Sequence, residues 1–272
     1  MAVGEILTNL VINLLSGILI FLLGLFWPVI PKSYRKFLVR RFWGKGVLGE
    51  DFVICYGTLI GSRIDSRLRE PNPPPYRYMK RYHDGRIVQL VGPWGNIVGD
   101  CEIRSTSYII NTLSTYRKKA VIVVDDATAF ENLNRTFVAL GSPSSNEITD
   151  LILREPNNKF LEFGQEGNTT FIRDKKSGRK FKGFQLPVRN DYGIVLKIPN
   201  LRFPGHFFFV CAGLGEWGTS GASWYLATKW QDLQSKFGDA FGVVVEVEIG
   251  SDESARKVFL KNKKTNIGIV FT

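Results

Sequence analysis

From Ile6 to Pro31 the chain carries no charged residue, and residues 14–30 are almost wholly apolar. A helix needs about 20 such residues to cross the hydrocarbon core of a bilayer, so this run can span one. Trp27 stands where an interfacial aromatic belongs, and Pro28 and Pro31 would end the helix. A cleaved signal peptide is the competing reading. Against it, no Lys or Arg precedes the run, the run exceeds a typical signal core, and no small-x-small cleavage site follows. The expectation is a retained transmembrane helix over residues 1–31.

Orientation follows from Lys32, Arg35, Lys36, Arg40, Arg41 and Lys45, which face a lone Glu5 on the other side of the run. The positive-inside rule places the C-terminal bulk in the cytosol, which predicts a single-pass protein of the cell inner membrane. Residues 1–45 hold six cations and one acid, a net +5 of the total +11. Phe37, Leu38, Val39, Phe42 and Trp43 interleave with those cations. Residues 32–50 therefore read as a basic juxtamembrane segment lying on anionic headgroups, a better fit than nucleic acid. On a helical wheel Asn9, Asn13, Ser16, Gly17, Ile20 and Gly24 share one stripe of small and amide side chains. Such a stripe suits association between copies, although Asn9 and Asn13 at the helix start also suit the outer interface.

Residues 51–272 read as one cytosolic domain. Three widely spaced cysteines, Cys55, Cys101 and Cys211, argue against a disulfide scaffold or a structural zinc site. Residues 51–59 read as a buried strand, and the proline-rich residues 70–79 as a surface excursion. A helix is predicted over 99–116, where Ile103, Ile109, Ile110 and Leu113 recur at helical spacing. Residues 120–126 run five aliphatic residues into two carboxylates and read as a central parallel strand. A further strand over 135–140 leads through a Gly-Ser loop into a helix containing Ile148, Leu151 and Ile152. Residues 160–200 break the rhythm with short alternating segments and a turn at 175–178, which reads as an antiparallel hairpin insertion or sheet edge. Strands at 207–212 and 242–249 flank a helix reaching about Phe237. Strand alternating with helix at this spacing predicts an α/β fold, a three-layer sandwich around a mostly parallel sheet.

Two strand-to-helix junctions carry the functional reading. Gly141, Ser142, Ser144, Ser145 and Asn146 combine a tight turn, small hydroxyls and backbone amides at a helix start, an arrangement that receives phosphate. Gly213-x-Gly215-x-x-Gly218 matches a dinucleotide-binding pattern after a strand, with Thr219 and Ser220 in capping range. Glu216 inside that loop favours ribose or base contact over phosphate. Asp125 and Asp126 end a strand, where carboxylates accept from ribose hydroxyls or hold a metal, or else cap a helix or solvate a loop. The cations of residues 173–182 read as a solvated edge. His83 and His206 are the only histidines, and no zinc spacing, nucleophile elbow or Walker loop occurs. No catalytic residue, metal ligand or cofactor is assigned, and a binding role is favoured over an enzymatic one.

The pattern in residues 137–149, Asp191-Tyr-Gly193 and residues 212–222 resembles that of an uncharacterised bacterial and archaeal domain with a GSPxxN…DYG…AGxxxxGTxA run. The architecture also resembles membrane-tethered nucleotide-sensing effectors of bacterial anti-phage defence, including those with Rossmann-like SLOG domains. These resemblances imply a Rossmann-like domain that senses a nucleotide-derived or other anionic ligand without turnover and signals through self-association as a homo-oligomer. Two alternatives stand beside it. One is a membrane-anchored nucleotide hydrolase or glycosidase using Glu216 or Asp125. The other is a non-catalytic interaction scaffold at the inner membrane.

Overall fold

Helices that follow strands and carry one apolar face pack back on the sheet they leave. This is the arrangement in the computed structural model, which describes residues 15–16, 29–57, 76–81, 87–92, 98–183, 189–262 and 269–270. The elements run α1 (Val29–Trp43), β1 (Phe52–Tyr56), β2 (Tyr76–Arg81), β3 (Ile87–Gly92), α2 (Asp100–Ser114), β4 (Ile122–Asp125) and α3 (Asp126–Ala129). There follow β5 (Thr136–Leu140), α4 (Glu147–Leu153), β6 (Leu161–Glu166), β7 (Thr169–Asp174), β8 (Lys180–Lys182) and β9 (Asn190–Pro199). The chain closes with β10 (Phe207–Gly213), α5 (Glu216–Phe237), β11 (Phe241–Glu248), β12 (Ser251–Asn262) and β13 (Ile269–Val270).

Among the described residues eight strands form one sheet in the order β13-β12-β11-β9-β10-β5-β1-β4. β4, β1, β5 and β10 pair in parallel, while β9, β11, β12 and β13 join through antiparallel pairings. Six strands thus point one way and only β9 and β12 run against them. The sheet is α/β and compatible with a Rossmann-like fold, with its parallel pairings gathered in one half. β6, β7 and β8 make a separate three-stranded antiparallel sheet, and β2 pairs with β3.

Alternate side chains of a strand enter opposite layers. Along β10, Phe209 and Cys211 join the core made with α1, α2 and α5, whereas Phe208, Val210 and Ala212 join the core made with α4 and the small sheet. Helix α5 contributes Ala222, Leu226, Trp230 and Leu233, all buried at spacings of four, four and three. Gly238, with φ of 71°, lets the chain leave that helix in a conformation that side chains resist.

Three expectations change. Val39, Phe42 and Trp43 lie in the protein core and not on headgroups: the Trp43 ring is 5.0 Å from Phe209 and the Phe42 ring 5.5 Å. Once helical, positions i, i+3 and i+4 share a face that turns Lys36, Arg40 and Arg41 outward, leaving only Phe37 of the five apolar residues exposed. The strand read as central, β4, is the sheet edge, with Val123 39% exposed. The strand read as an insertion or edge, β9, lies near the middle, with residues 194–198 fully buried. The transmembrane expectation and its small-residue stripe fall almost wholly on residues 1–28, outside the described residues apart from 15–16. No helix among the described residues is long and apolar enough to cross a membrane.

Candidate functional site

β5 and β10 are parallel neighbours, so both predicted turns leave the same end of the sheet side by side. Cys211 pairs with Leu140 in register, and the Gly141 amide donates to the Cys211 carbonyl at 3.1 Å. α4 packs on one face of the sheet and α5 on the other, which opens a crevice between the strand ends, the usual ligand position in α/β sheets.

The second turn is closed by the protein itself. Asp191, at the start of β9, accepts from the amides of Gly218 at 2.7 Å, Gly215 at 3.2 Å and its neighbour Tyr192 at 2.7 Å. Burial lifts the Asp191 carboxyl above its ordinary value, while those three amides pull it back. Two further amides are also engaged: Gly213 N donates to Thr219 Oγ1 and Leu214 N to the Tyr192 carbonyl. A phosphate at this turn would have to displace Asp191. The glycines serve close packing, since a Cβ on Gly193 would stand 2.0 Å from the Gly218 carbonyl oxygen, and one on Gly213 would stand 2.3 Å from Thr219 N.

The first turn is capped but not filled. Asn146, fully buried, accepts from Thr149 N at 3.0 Å and donates to the Leu140 carbonyl at 2.8 Å. Asp126, also buried, accepts from Glu147 N at 2.9 Å. The amides that begin α4 are thus held by Asn146 and Asp126. Ser142, Ser144 and Ser145 share hydroxyl contacts above them, with Ser142 Oγ and Ser144 Oγ 2.7 Å apart.

Between the turns lies a cavity of about 270 Å³. Ser142, Pro143 and Ser144 form one wall, Gly213 and Leu214 the second, and Phe163, Gly164, Gln165 and Thr170 from the β6-β7 hairpin close it. Among the described residues no charged side chain lines it, and the polar side chains that do are hydroxyls and one carboxamide. Scans against protein-family models, curated proteins and solved structures return no match to this chain.

The other predicted residues stand apart from the cavity. Asp125 caps α3 by accepting from Thr128 N at 2.7 Å, and Glu216 is exposed at the start of α5. Ser220 bonds to Asp252, which also takes Arg104 Nε at 3.0 Å and the Tyr108 hydroxyl at 2.9 Å. The Arg104 guanidinium lies 4.4 Å from the Trp217 ring centre. This network pins α2 and β12 to α5 and keeps Trp217 against Arg104. The three cysteines are buried with thiols pushed upward by burial, which removes them as ready nucleophiles. In the basic hairpin, Arg173 pairs with Glu162, and Lys180 and Lys182 with Glu166.

Sequence reasoning passed over Asp191 as a functional position and over Phe163, Gln165, Thr170 and Leu214 altogether. Asp191 left one legible signal, a carboxylate at the head of a strand whose next apolar run is Ile194, Val195 and Leu196. The hairpin residues left none, because only the fold brings them over the turns.

Proposed function

We propose that this chain is a membrane-anchored binding protein whose α/β domain takes a small, uncharged polar molecule of nucleoside type between the two turns. The observation that carries this reading is the cavity lining among the described residues: hydroxyls and a carboxamide for hydrogen bonds, Phe163, Leu214 and Pro143 for a planar ring, and no cation for a phosphate. The sequence favoured an anionic nucleotide-like ligand. The capped helix starts move that preference to the base and sugar part of such a molecule. Signalling through self-association belongs to the same proposal. Its support is the rooting of α1 in the core by Val39, Phe42 and Trp43, which gives the preceding segment a stiff attachment.

The test is thermal melting of the full chain with a panel of nucleosides and their monophosphates. A nucleoside at a hundredfold excess over Kd raises Tm by about 5 °C. Its monophosphate does no better, and Thr170→Trp, which fills the cavity, abolishes the rise. Flat curves across the uncharged panel overturn the reading.

A further inference from the structure

Away from the crevice, α1 and α5 enclose a second cavity of about 500 Å³. Tyr34, Leu38 and Arg41 line it from one face of α1 at i, i+4 and i+7, with Arg35 beside them. α5 supplies Trp230 and Gln234. Among the described residues no carboxylate lines the cavity, so two guanidiniums set its charge. Gln234 is only 8% exposed, yet its Oε1 has no hydrogen-bond partner among the described residues. An orphaned buried carboxamide oxygen is unfavourable, and rotation about its last bond can present either end to the cavity.

We propose that this cavity binds the headgroup of an anionic glycerophospholipid: Arg35 and Arg41 hold the phosphodiester, Gln234 meets a headgroup hydroxyl, and Leu38 and Trp230 cover the glycerol carbons. Paired arginines match phosphate oxygens better than lysines do. The lipid source is argued from position, because the cavity opens on the helix that directly continues the apolar run 6–31. The inference therefore rests on the membrane-anchored reading.

The experiment reconstitutes the full chain in nanodiscs of phosphatidylcholine with or without one fifth phosphatidylglycerol and counts retained anionic lipids by native mass spectrometry. Arg35→Gln with Arg41→Gln lowers retention about twenty-five-fold, each cation being worth about fivefold. Lys36→Gln with Arg40→Gln, an equal loss of charge outside the cavity, leaves retention within twofold of wild type. Gln234→Leu gives an intermediate loss. Equal losses in both double variants, or no preference for phosphatidylglycerol, overturn the proposal. Carbonate extraction tests the anchor separately. A chain that resists extraction while the variants fail to differ sinks the lipid site alone. A chain that is stripped off but binds soluble glycerol 3-phosphate through Arg35 and Arg41 overturns the lipid source.

Discussion

The turns after β5 and β10 leave adjacent parallel strands, carry similar glycine and hydroxyl residues, and meet opposite fates. Asp191 reaches from β9 into the second turn and satisfies three amides, while the neighbouring β9 glycine leaves no room for a side chain. The first turn also receives a carboxylate, Asp126 of α3, but it binds the first amide of α4 and does not line the cavity. Asn146 caps that helix from within, the turn's serine hydroxyls bond to one another, and the β6-β7 hairpin stands off far enough to leave a cavity. A glycine-rich turn after a strand is therefore open or closed according to what the next strand brings to it.

Breaking the closed turn produces the largest effect. Gly193→Ala puts a methyl group against the Gly218 carbonyl, and overpacking against backbone should cost about 3 kcal/mol or more, read from the urea midpoint. Gly141→Ala is the sharpening control. Its nearest neighbour is a movable serine oxygen at 3.1 Å, so its smaller loss reflects the φ of 106°.

Next comes a buried charge without an amide cradle. Lys197 on β9 is fully buried, with Nζ 4.1 Å from the Phe207 ring centre, 3.4 Å from the Gly238 carbonyl and 3.9 Å from Asp239. Burial lowers its pKa to about 7; Asp239 resists the shift and Arg41 adds to it. The unfolded lysine holds its proton up to about 10.5, so stability should rise with pH between about 7 and 10.5, the penalty being fully present below 7. Lys197→Met should flatten that slope and add roughly 3 kcal/mol below pH 7, measured by denaturation at several pH values.

Asp191→Ala leaves buried donors unmatched and should cost about 2–3 kcal/mol. It also vacates an anion cradle, so sulfate should restore part of the loss in the variant and leave wild type unmoved. An absence of sulfate rescue would mean that the amides, once released, do not hold an anion. Asn146→Ala should cost about 1–2 kcal/mol through the lost cap and buried hydrogen bonds. Ser144→Ala should change stability by under about 0.5 kcal/mol yet weaken nucleoside binding, which separates the open turn from the closed one.

The sequence made some of this legible. Helices at 100–114 and 216–237, strands after residues 51, 135 and 207, and both glycine turns follow from short-range periodicity and turn chemistry. The order of strands does not. The run of Ile122, Val123 and Val124 signals an extended chain but not how many neighbours it has, and β4 ends the sheet. Residues 190–199 alternate weakly and sit between β10 and β11. β12 went unread, since its polar residues give little strand signal.

Residue types within a few positions of one another were enough to set where the chain turns, which stretches are extended or helical, and where its first long apolar run lies. Which carboxylate fills which amide nest, and which hairpin roofs which turn, depended on segments 20 to 70 residues apart meeting across the sheet. The reason is range. Backbone propensity and periodicity act over one or two turns of chain, whereas a hydrogen-bond partner or cavity wall is assigned only when loop closure and core packing have fixed the neighbours.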